Sequence, residues 1–330
     1  MTGVTITGWG LSLPETVVTN TDITTLFETT DEWIFERSGI RERRAATGPF
    51  VDPQPPLHPP ESGLGTTGTL AVEAGKIALE RARVRPSDIS LVVLCTTTPD
   101  QLIPASSASV AAALGINGGA MDLNAACAGF TYGLVTASGL IAAGAERVLL
   151  IGAETLTRAT NWEDRSNAFL FGDGAGAVVV EATTGEGSLL GWDLGVDGTL
   201  VPLLYAQHSS GMVMRGKEVF RRAVLATVES ANKSLERAKL GIEDISLFVP
   251  HQANIRIMEA AASRLGLPGE KIASVIARTG NTSSASIPLA LIDAVEGGRV
   301  ADGDHLLLAG FGAGMTWASA VWRWQAPSAD

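Results

Sequence analysis

The sequence predicts an α/β protein assembled from two duplicated halves. Three observations support this: an internal repeat, an alternation of apolar strands with Ala-rich helices, and a composition able to fill a large core. Residues 79–91 read LERARVRPSDISL and residues 235–247 read LERAKLGIEDISL, identical at eight of thirteen positions with an offset of 156. GAERVLLIG (144–152) and DGDHLLLAG (302–310) echo one another at an offset of 158. Two echoes at nearly one offset imply a duplication with halves near 1–185 and 186–330, each a compact α/β unit rather than a solenoid repeat. A chain of 330 residues also suits two units at roughly 150 residues each. An apolar fraction of 45% supplies the core and excludes disorder.

The elements follow in order. LVVLC (91–95) reads as a buried strand after its Asp-Ile-Ser turn, and SSASVAAALG (106–115) as a buried helix. MDLN (121–124) is strand-like, and GFTYGLVTASGLIAAGA (129–145) is a long apolar helix. VLLIGAE (148–154) and GAVVVEA (176–182) are strands buried on both faces, as are LFVP (247–250), HLLLAGF (305–311) and WASAVWRW (317–324) in the second half. This alternation predicts parallel or mixed sheets covered by helices. The 37 glycines and many alanines let helices pack closely, which suits a helix layer between two sheets. One segment breaks the pattern: TGPFVDPQPPLHPPES (47–62) holds six of the 15 prolines and predicts an extended surface loop rather than a core element.

Charge and composition exclude several functions. A net charge of −11 opposes nucleic acid and anionic membrane surfaces. No run of apolar residues is long enough to span a bilayer, and MTGVTITGWG lacks the basic and apolar regions of a signal peptide. Cys95 and Cys127 make no disulfide framework, which fits a reducing, cytoplasmic setting. His58, His208, His251 and His305 stand far apart and share no metal spacing, so no metal is expected. FGDGAG (171–176) lacks the Lys-Ser/Thr of a phosphate loop and runs into a strand, which rejects a nucleotide site.

Three short segments carry chemistry. NAACAGF places Cys127 between a strand and a long helix, where the helix dipole is expected to lower the thiol pKa. Cys95, at the end of LVVLC, reads as a small buried hydrophobe. VPHQAN places His251 at the carboxyl end of a strand, where α/β proteins bind ligands. In GNTSSASIPLAL, Asn281 precedes a helix; a lone Asn there is an ordinary N-cap. Asn281 lies 37 residues after Asp244 and Cys127 lies 39 after Asp88, which puts the two at equivalent points of the halves and predicts one shared site. A Cys, a His and an Asn support nucleophilic catalysis through a thioester and equally describe Cys hydrolases.

NAACAGF, VPHQAN and GNTSSASIPLAL together resemble the active-site motifs of the β-ketoacyl-acyl-carrier-protein (ACP) synthase III family, the initiating condensing enzymes of the thiolase superfamily. TTDEWIFERSGIRERR (29–44), FLFGDGAGAVVVE (169–181), MRGKEVFRRAV (214–224) and GFGAGMTWASAVWRW (310–324) extend the resemblance over nearly the whole chain. It implies a five-layered αβαβα thiolase-like fold and a homodimer. It also implies that Cys127 takes an acyl group from acyl-CoA. His251 and Asn281 then bind the thioester carbonyl of malonyl-ACP and stabilise the enolate formed as CO₂ leaves. No cofactor is implied, because the thioester itself activates the departing carboxylate. Transfer of the acyl group to an alcohol or amine without condensation is the neighbouring alternative, which the intact His and Asn disfavour.

Further residues carry over from the same resemblance. Trp33 and Arg165 match an adenine sandwich and Arg37 a phosphate contact of CoA, with Thr29 beside them. Gly216, Phe220 and Asn254 match the pantetheine tunnel. The Cys127 N–H and a backbone N–H of the 311–314 turn, at Ala313, match an oxyanion hole; Gly312-Ala313-Gly314 stands where members often have three glycines. Arg221 and Arg256 match a basic patch for the acidic carrier protein, although Ser263 replaces a Lys found in some members. Leu156 and Met212 match acyl-pocket residues, and Ile103, on the segment Thr97–Pro104, matches a residue that closes the partner's pocket. The Pro-rich loop is then expected beside the CoA entrance.

Overall fold

A computed structural model describes residues 2–55, 61, 63–207 and 211–326. The first half runs β1 (Thr2–Ser12), β2 (Val17–Thr19), α1 (Asn20–Ile23), α2 (Asp31–Ser38), β3 (Glu42–Arg44), α3 (Thr66–Ala82), β4 (Leu91–Cys95), α4 (Ser106–Leu114), β5 (Gly119–Leu123), α5 (Gly129–Ala142), β6 (Arg147–Thr155) and β7 (Asp173–Thr184). The second runs β8 (Leu189–Val196), β9 (Leu204–Gln207), β10 (Gly211–Met214), α6 (Gly216–Ala238), β11 (Ile245–Pro250), α7 (Ile255–Leu265), α8 (Ile276–Thr279), α9 (Ser286–Glu296), β12 (His305–Gly312) and β13 (Thr316–Arg323).

The repeated sequences fold alike. LERA closes α3 at Arg83 and α6 at Lys239, each a non-glycine residue in left-handed backbone, φ 56° and 57°. Each is followed by a 3₁₀ turn, Pro86–Asp88 or Ile242–Asp244, that feeds β4 or β11. The first sheet has the order β1-β7-β6-β4-β5 and the second, read in the same sense, β8-β13-β12-β11. Matching neighbours share their direction: β1 with β7 and β8 with β13 are antiparallel, and β4 with β6 and β11 with β12 are parallel. A lone parallel bridge, Phe248 to Ile272, stands where the second sheet would hold its counterpart of β5.

Five layers result. Leu70, Ala74 and Ala78 of α3 and Val110 of α4 cover the outer face of the first sheet against Val92, Leu94 and Leu149. Ala231 and Leu235 of α6 and Met258 of α7 cover the outer face of the second against Phe248, Leu307 and Val321. Between the sheets, Phe130 and Leu134 of α5 and Ile287 and Leu291 of α9 meet Val93 and Val178 from one side and Leu247, Leu306 and Trp322 from the other. That central cluster spans both halves, so they share one core. Carboxylates cap the outer helices: Asp100 accepts from Gly65, Thr67 and Gly68 N–H, and Asp122 from Ser106 and Ser107 N–H, at 2.8–3.0 Å.

The Pro-rich segment is more than a surface loop over its first residues. Thr47 is buried and its hydroxyl meets that of Thr157 at 2.7 Å. Phe50 stacks edge-on against Trp162 at 5.7 Å, and a Cβ on Gly48 would strike the same indole. Two half-buried aromatic rings packed on each other outweigh the high Pro content here. Residues 56–60 and 62 lie outside the described residues.

Candidate active site

One cavity of about 1340 Å³ opens between the two halves and is lined by Cys127, His251 and Asn281. Cys127 sits in a 3₁₀ turn, Ala126–Ala128, that leads directly into α5. The helix terminus is where the sequence implied, but its expected consequence does not follow. Burial pushes the Cys127 thiol up to about 12; the Ser283 hydroxyl and the residue's own N–H lower it, and Glu154 raises it further. Loss of hydration thus exceeds what one helix end returns. Cys127 keeps surface facing the cavity, whereas Cys95 is fully buried. Cys95 is the inert core thiol expected.

His251 follows β11 and donates its backbone N–H to Ala309 O of β12 at 2.8 Å. Its ring lies edge-on to Phe311 at 5.5 Å, and burial pushes its pKa down to about 3. The imidazole is therefore neutral across the physiological range. Nδ1 has no partner among the described residues.

Asn281 is fixed by its backbone: its N–H donates to Leu170 O at 2.8 Å and its carbonyl accepts from Gly172 N–H at 3.0 Å. Its Oδ1 accepts from Ser283 N–H at 2.9 Å. With the oxygen engaged there, the side chain has its Nδ2 donor left for the cavity. This geometry corrects the equivalence drawn between Cys127 and Asn281. Asn124 Oδ1 accepts from Ala126 N–H in the same way, Ala126 and Ser283 both have φ 47°, and each begins a 3₁₀ turn into a central helix. NAACAG therefore superposes on NTSSAS: Asn281 matches Asn124, and Cys127 matches Ser284. Counted from the repeated Asp, Cys127 lies 39 residues on and Ser284 40, so the intervening segments differ by one residue and the pairing with Asn281, 37 residues on, is three residues off.

The turn after β12 stands over Cys127. A Cβ on Gly312 would lie 2.5 Å from the Cys127 nitrogen, so only glycine allows this approach, and Ala313 lines the cavity beside it. At the mouth, Arg37 and Arg165 lie over the Trp33 ring at 4.5 and 5.3 Å, and Phe169 meets it edge-on. An adenine sandwiched by Trp33 and Arg165 must displace this guanidinium. Gly216, Phe220, Arg221, Asn254, Arg256, Leu156 and Met212 all line the cavity. Gly216 has nothing near a would-be Cβ, and Arg256 lies over Phe220 at 6.0 Å.

Some expected residues do other work. Asn254 caps α7, its Oδ1 accepting from Arg256 N–H and its Nδ2 donating to Arg37 O, so its polar atoms serve the protein. Thr29 does not line the cavity, and neither does Ile103, which stands 87% exposed beside Leu102. FGDGAG is structural and opens β7 instead of forming a separate turn: Asp173 accepts from Ala46 N–H, Thr157 N–H and Thr157 Oγ1, and burial pushes its carboxyl up to about 7. Sequence reasoning missed the β9–β10 hairpin, which brings Leu204, Tyr205, Ala206 and Met214 to the cavity, and also Thr97, Thr98 and Ser283. Aligning NAACAG with NTSSAS sets Ser284 opposite Cys127 and Ser283 opposite Ala126, which would have directed attention to this turn.

Comparison with known proteins agrees with this geometry. Residues 121–198 match the family described as 3-oxoacyl-[acyl-carrier-protein (ACP)] synthase III, and residues 235–324 its C-terminal counterpart. The chain is 45% identical over 321 residues to beta-ketoacyl-[acyl-carrier-protein] synthase III of Listeria welshimeri, covering 97% of this chain and 98% of that protein. The crystal structure of the Aquifex aeolicus 3-oxoacyl-[acyl-carrier-protein] synthase III superposes with a TM-score of 0.90 at 40% identity, covering 98% of this chain and all of that one. The priming beta-ketosynthase of the R1128 polyketide pathway superposes at 0.89 with 37% identity, covering 99% and 97%. With this identity over nearly its whole length, and with the five layers the family fold requires, the chain belongs to the β-ketoacyl-acyl-carrier-protein synthase III family.

Proposed function

We propose that the protein condenses an acyl-CoA primer with malonyl-ACP, releasing CO₂ and CoA and forming β-ketoacyl-ACP through an acyl-Cys127 intermediate. The observation that carries this reading is the convergence of Cys127, His251 and Asn281 on one cavity, with His251 held neutral and Asn281 free to donate. In the first step Cys127 Sγ attacks the acyl carbonyl, the oxyanion meets the Cys127 and Ala313 N–H groups, and CoA leaves with the thiol proton. The resting thiol is protonated at neutral pH, so the proton moves as the carbon–sulfur bond forms; neutral His251 is the base available for it. In the second step the malonyl carboxylate leaves as CO₂. Its electron pair becomes an enolate whose oxygen accepts from His251 and Asn281, and the enolate carbon attacks acyl-Cys127, expelling the thiolate. The thioester supplies the activation, so the reaction needs neither a cofactor nor a metal.

Trp33, Arg37 and Arg165 would hold the nucleotide end of CoA, and Arg221 and Arg256 an acidic carrier. Two cations at the mouth prevail over a net charge of −11 because screening limits the global field to about 8 Å. A homodimer is supported by the bare outer edge of β5 and by exposed Leu102 and Ile103, which a partner would cover. Among the described residues no helix is long and apolar enough to cross a membrane, in keeping with a cytoplasmic enzyme. Release of labelled CO₂ from carboxyl-labelled malonyl-ACP tests the reading. Acyl transfer to an alcohol or amine, or hydrolysis, gives none.

A further inference from the structure

Glu154, near the end of β6, is completely buried and has no cation within ion-pair distance among the described residues. A carboxylate buried without a countercharge persists only where donors replace its water. Those donors come from two places. From the segment after β4, the N–H groups of Thr97 and Thr98 donate at 3.0–3.1 Å, and the hydroxyls of Thr96, Thr97 and Thr98 at 2.7–3.2 Å. From the second half, Ser284 turns its hydroxyl, shared with Cys95 O at 2.7 Å, to Glu154 at 2.9 Å and its N–H at 3.4 Å. Ser284 adjoins Ser283, whose N–H fixes the Asn281 amide, and Thr97 and Thr98 line the cavity just before the segment that carries Ile103.

We propose that Glu154 is a positioning residue: one carboxylate registers the Asn281–Ser284 turn against the Thr96–Thr98 segment, and so couples enolate stabilisation to the shape of the acyl pocket. Two features say the registration is needed. Ser283 is held at φ 47°, an uncommon backbone state for a residue other than glycine, and the anchor lies on the very next residue. Gly152 of β6 approaches the same turn so closely that a Cβ would lie 2.4 Å from Ser284 O, so the strand carrying Glu154 is fitted to the turn. Glu154 touches no substrate; it acts through Asn281 and through the pocket wall.

The inference rests on the condensing reading, and Glu154→Gln in the full-length protein tests it. The amide turns an N–H₂ group toward groups that are themselves donors. Acyl-Cys127 formation from the preferred acyl-CoA should stay within about threefold of wild type. Malonyl-ACP decarboxylation should lose at least about tenfold in kcat with little change in KM, and rates across a two- to eight-carbon acyl-CoA series should flatten. A structural role alone would lower Tm and leave both kinetic ratios unchanged per folded molecule, which would overturn the proposal. If Glu154→Gln does not fold, Ser284→Ala is read instead: at least about fivefold loss of decarboxylation with intact acylation supports it, and wild-type decarboxylation overturns it. A wild-type enzyme that releases no CO₂ would overturn the condensing reading itself, a distinguishable failure.

Discussion

Asn124 Oδ1 accepts the Ala126 N–H at 3.1 Å, and Asn281 Oδ1 accepts the Ser283 N–H at 2.9 Å, so one turn is built twice across the pseudo-twofold. The two copies have divided the chemistry. In the first, the residue three past the Asn is Cys127, facing the cavity. In the second it is Ser284, whose one hydroxyl proton is shared between Cys95 O and Glu154, while the Asn281 amide lines the cavity. Both copies end against the central helices α5 and α9, and this shared frame brings Cys127 and Asn281 to one cavity.

Cys127→Ala should abolish acyl-enzyme formation with the fold intact. Intact-protein mass after incubation with acyl-CoA should show one adduct on wild type and none on the variant. An undiminished adduct would move the nucleophile to Cys95, which its burial argues against.

His251→Ala and Asn281→Ala should still form acyl-Cys127, more slowly for His251→Ala, and lose malonyl-ACP decarboxylation by roughly 10²-fold or more. The enolate oxygen depends on both donors, whereas the acyl oxyanion is met by backbone N–H groups. Equal decarboxylation rates in wild type and both variants would refute this division.

Much of this was legible in the sequence, for physical reasons that differ by residue. The duplication was readable because LERA and Asp-Ile-Ser specify a helix end and a turn locally, and local signals survive as sequence. The three positions proposed as catalytic stood in motifs. The elevation of the Cys127 thiol was not readable, since it comes from burial by distant elements. Glu154 escaped notice because VLLIGAET reads as a buried strand in which a single acid carries no signal until its partners from 96–98 and 284 are assembled. The packing of Phe50 on Trp162 was hidden by a Pro content that describes backbone and not contacts.

His251 should also appear in the pH dependence of stability. Burial lowers its pKa from 6.5 to about 3, so between those values the unfolded chain binds a proton that the folded protein refuses. Its contribution is complete above pH 6.5 and is lost as pH falls toward 3, by about 1.4 kcal/mol per pH unit. Asp173 opposes this: raised from 3.8 to about 7, its contribution is complete below 3.8 and lost as pH rises through 7. The raw curve therefore hides both. The stability difference between wild type and His251→Asn removes Asp173 from the comparison and should widen with pH from 3 to 6.5. A constant difference would show that His251 titrates normally. Decarboxylation should correspondingly have no acid limb near pH 6.5.

Replacing residues 52–62 by a short Gly-Ser link should change Tm little, whereas Phe50→Ala should lower stability by about 1–3 kcal/mol through loss of its contact with Trp162. Trp162 follows Leu156 and Ala159, which line the cavity, so Phe50→Ala should also raise KM for acyl-CoA. A Tm unaffected by Phe50→Ala would return the whole segment to the surface.

Acyl-chain preference should depend on Ile103. It stands 87% exposed, outside its own chain's cavity, and in the proposed dimer it closes the partner's pocket. Ile is shorter than Phe and leaves a deeper pocket, and Leu156 and flexible Met212 line the chain's own wall. Each methylene buried there contributes about 0.8 kcal/mol, close to fourfold in specificity, until the wall is reached. Butyryl- or isobutyryl-CoA should therefore acylate Cys127 at least as fast as acetyl-CoA, and Ile103→Phe should shift preference back to acetyl. Because the side chain acts across the dimer, mixed dimers are decisive. A Cys127→Ala, Ile103→Phe subunit paired with a wild-type subunit should impose acetyl preference on the wild-type Cys127. A steep fall in rate after acetyl in the wild type, or a mixed dimer that keeps wild-type selectivity, would defeat the assignment of Ile103.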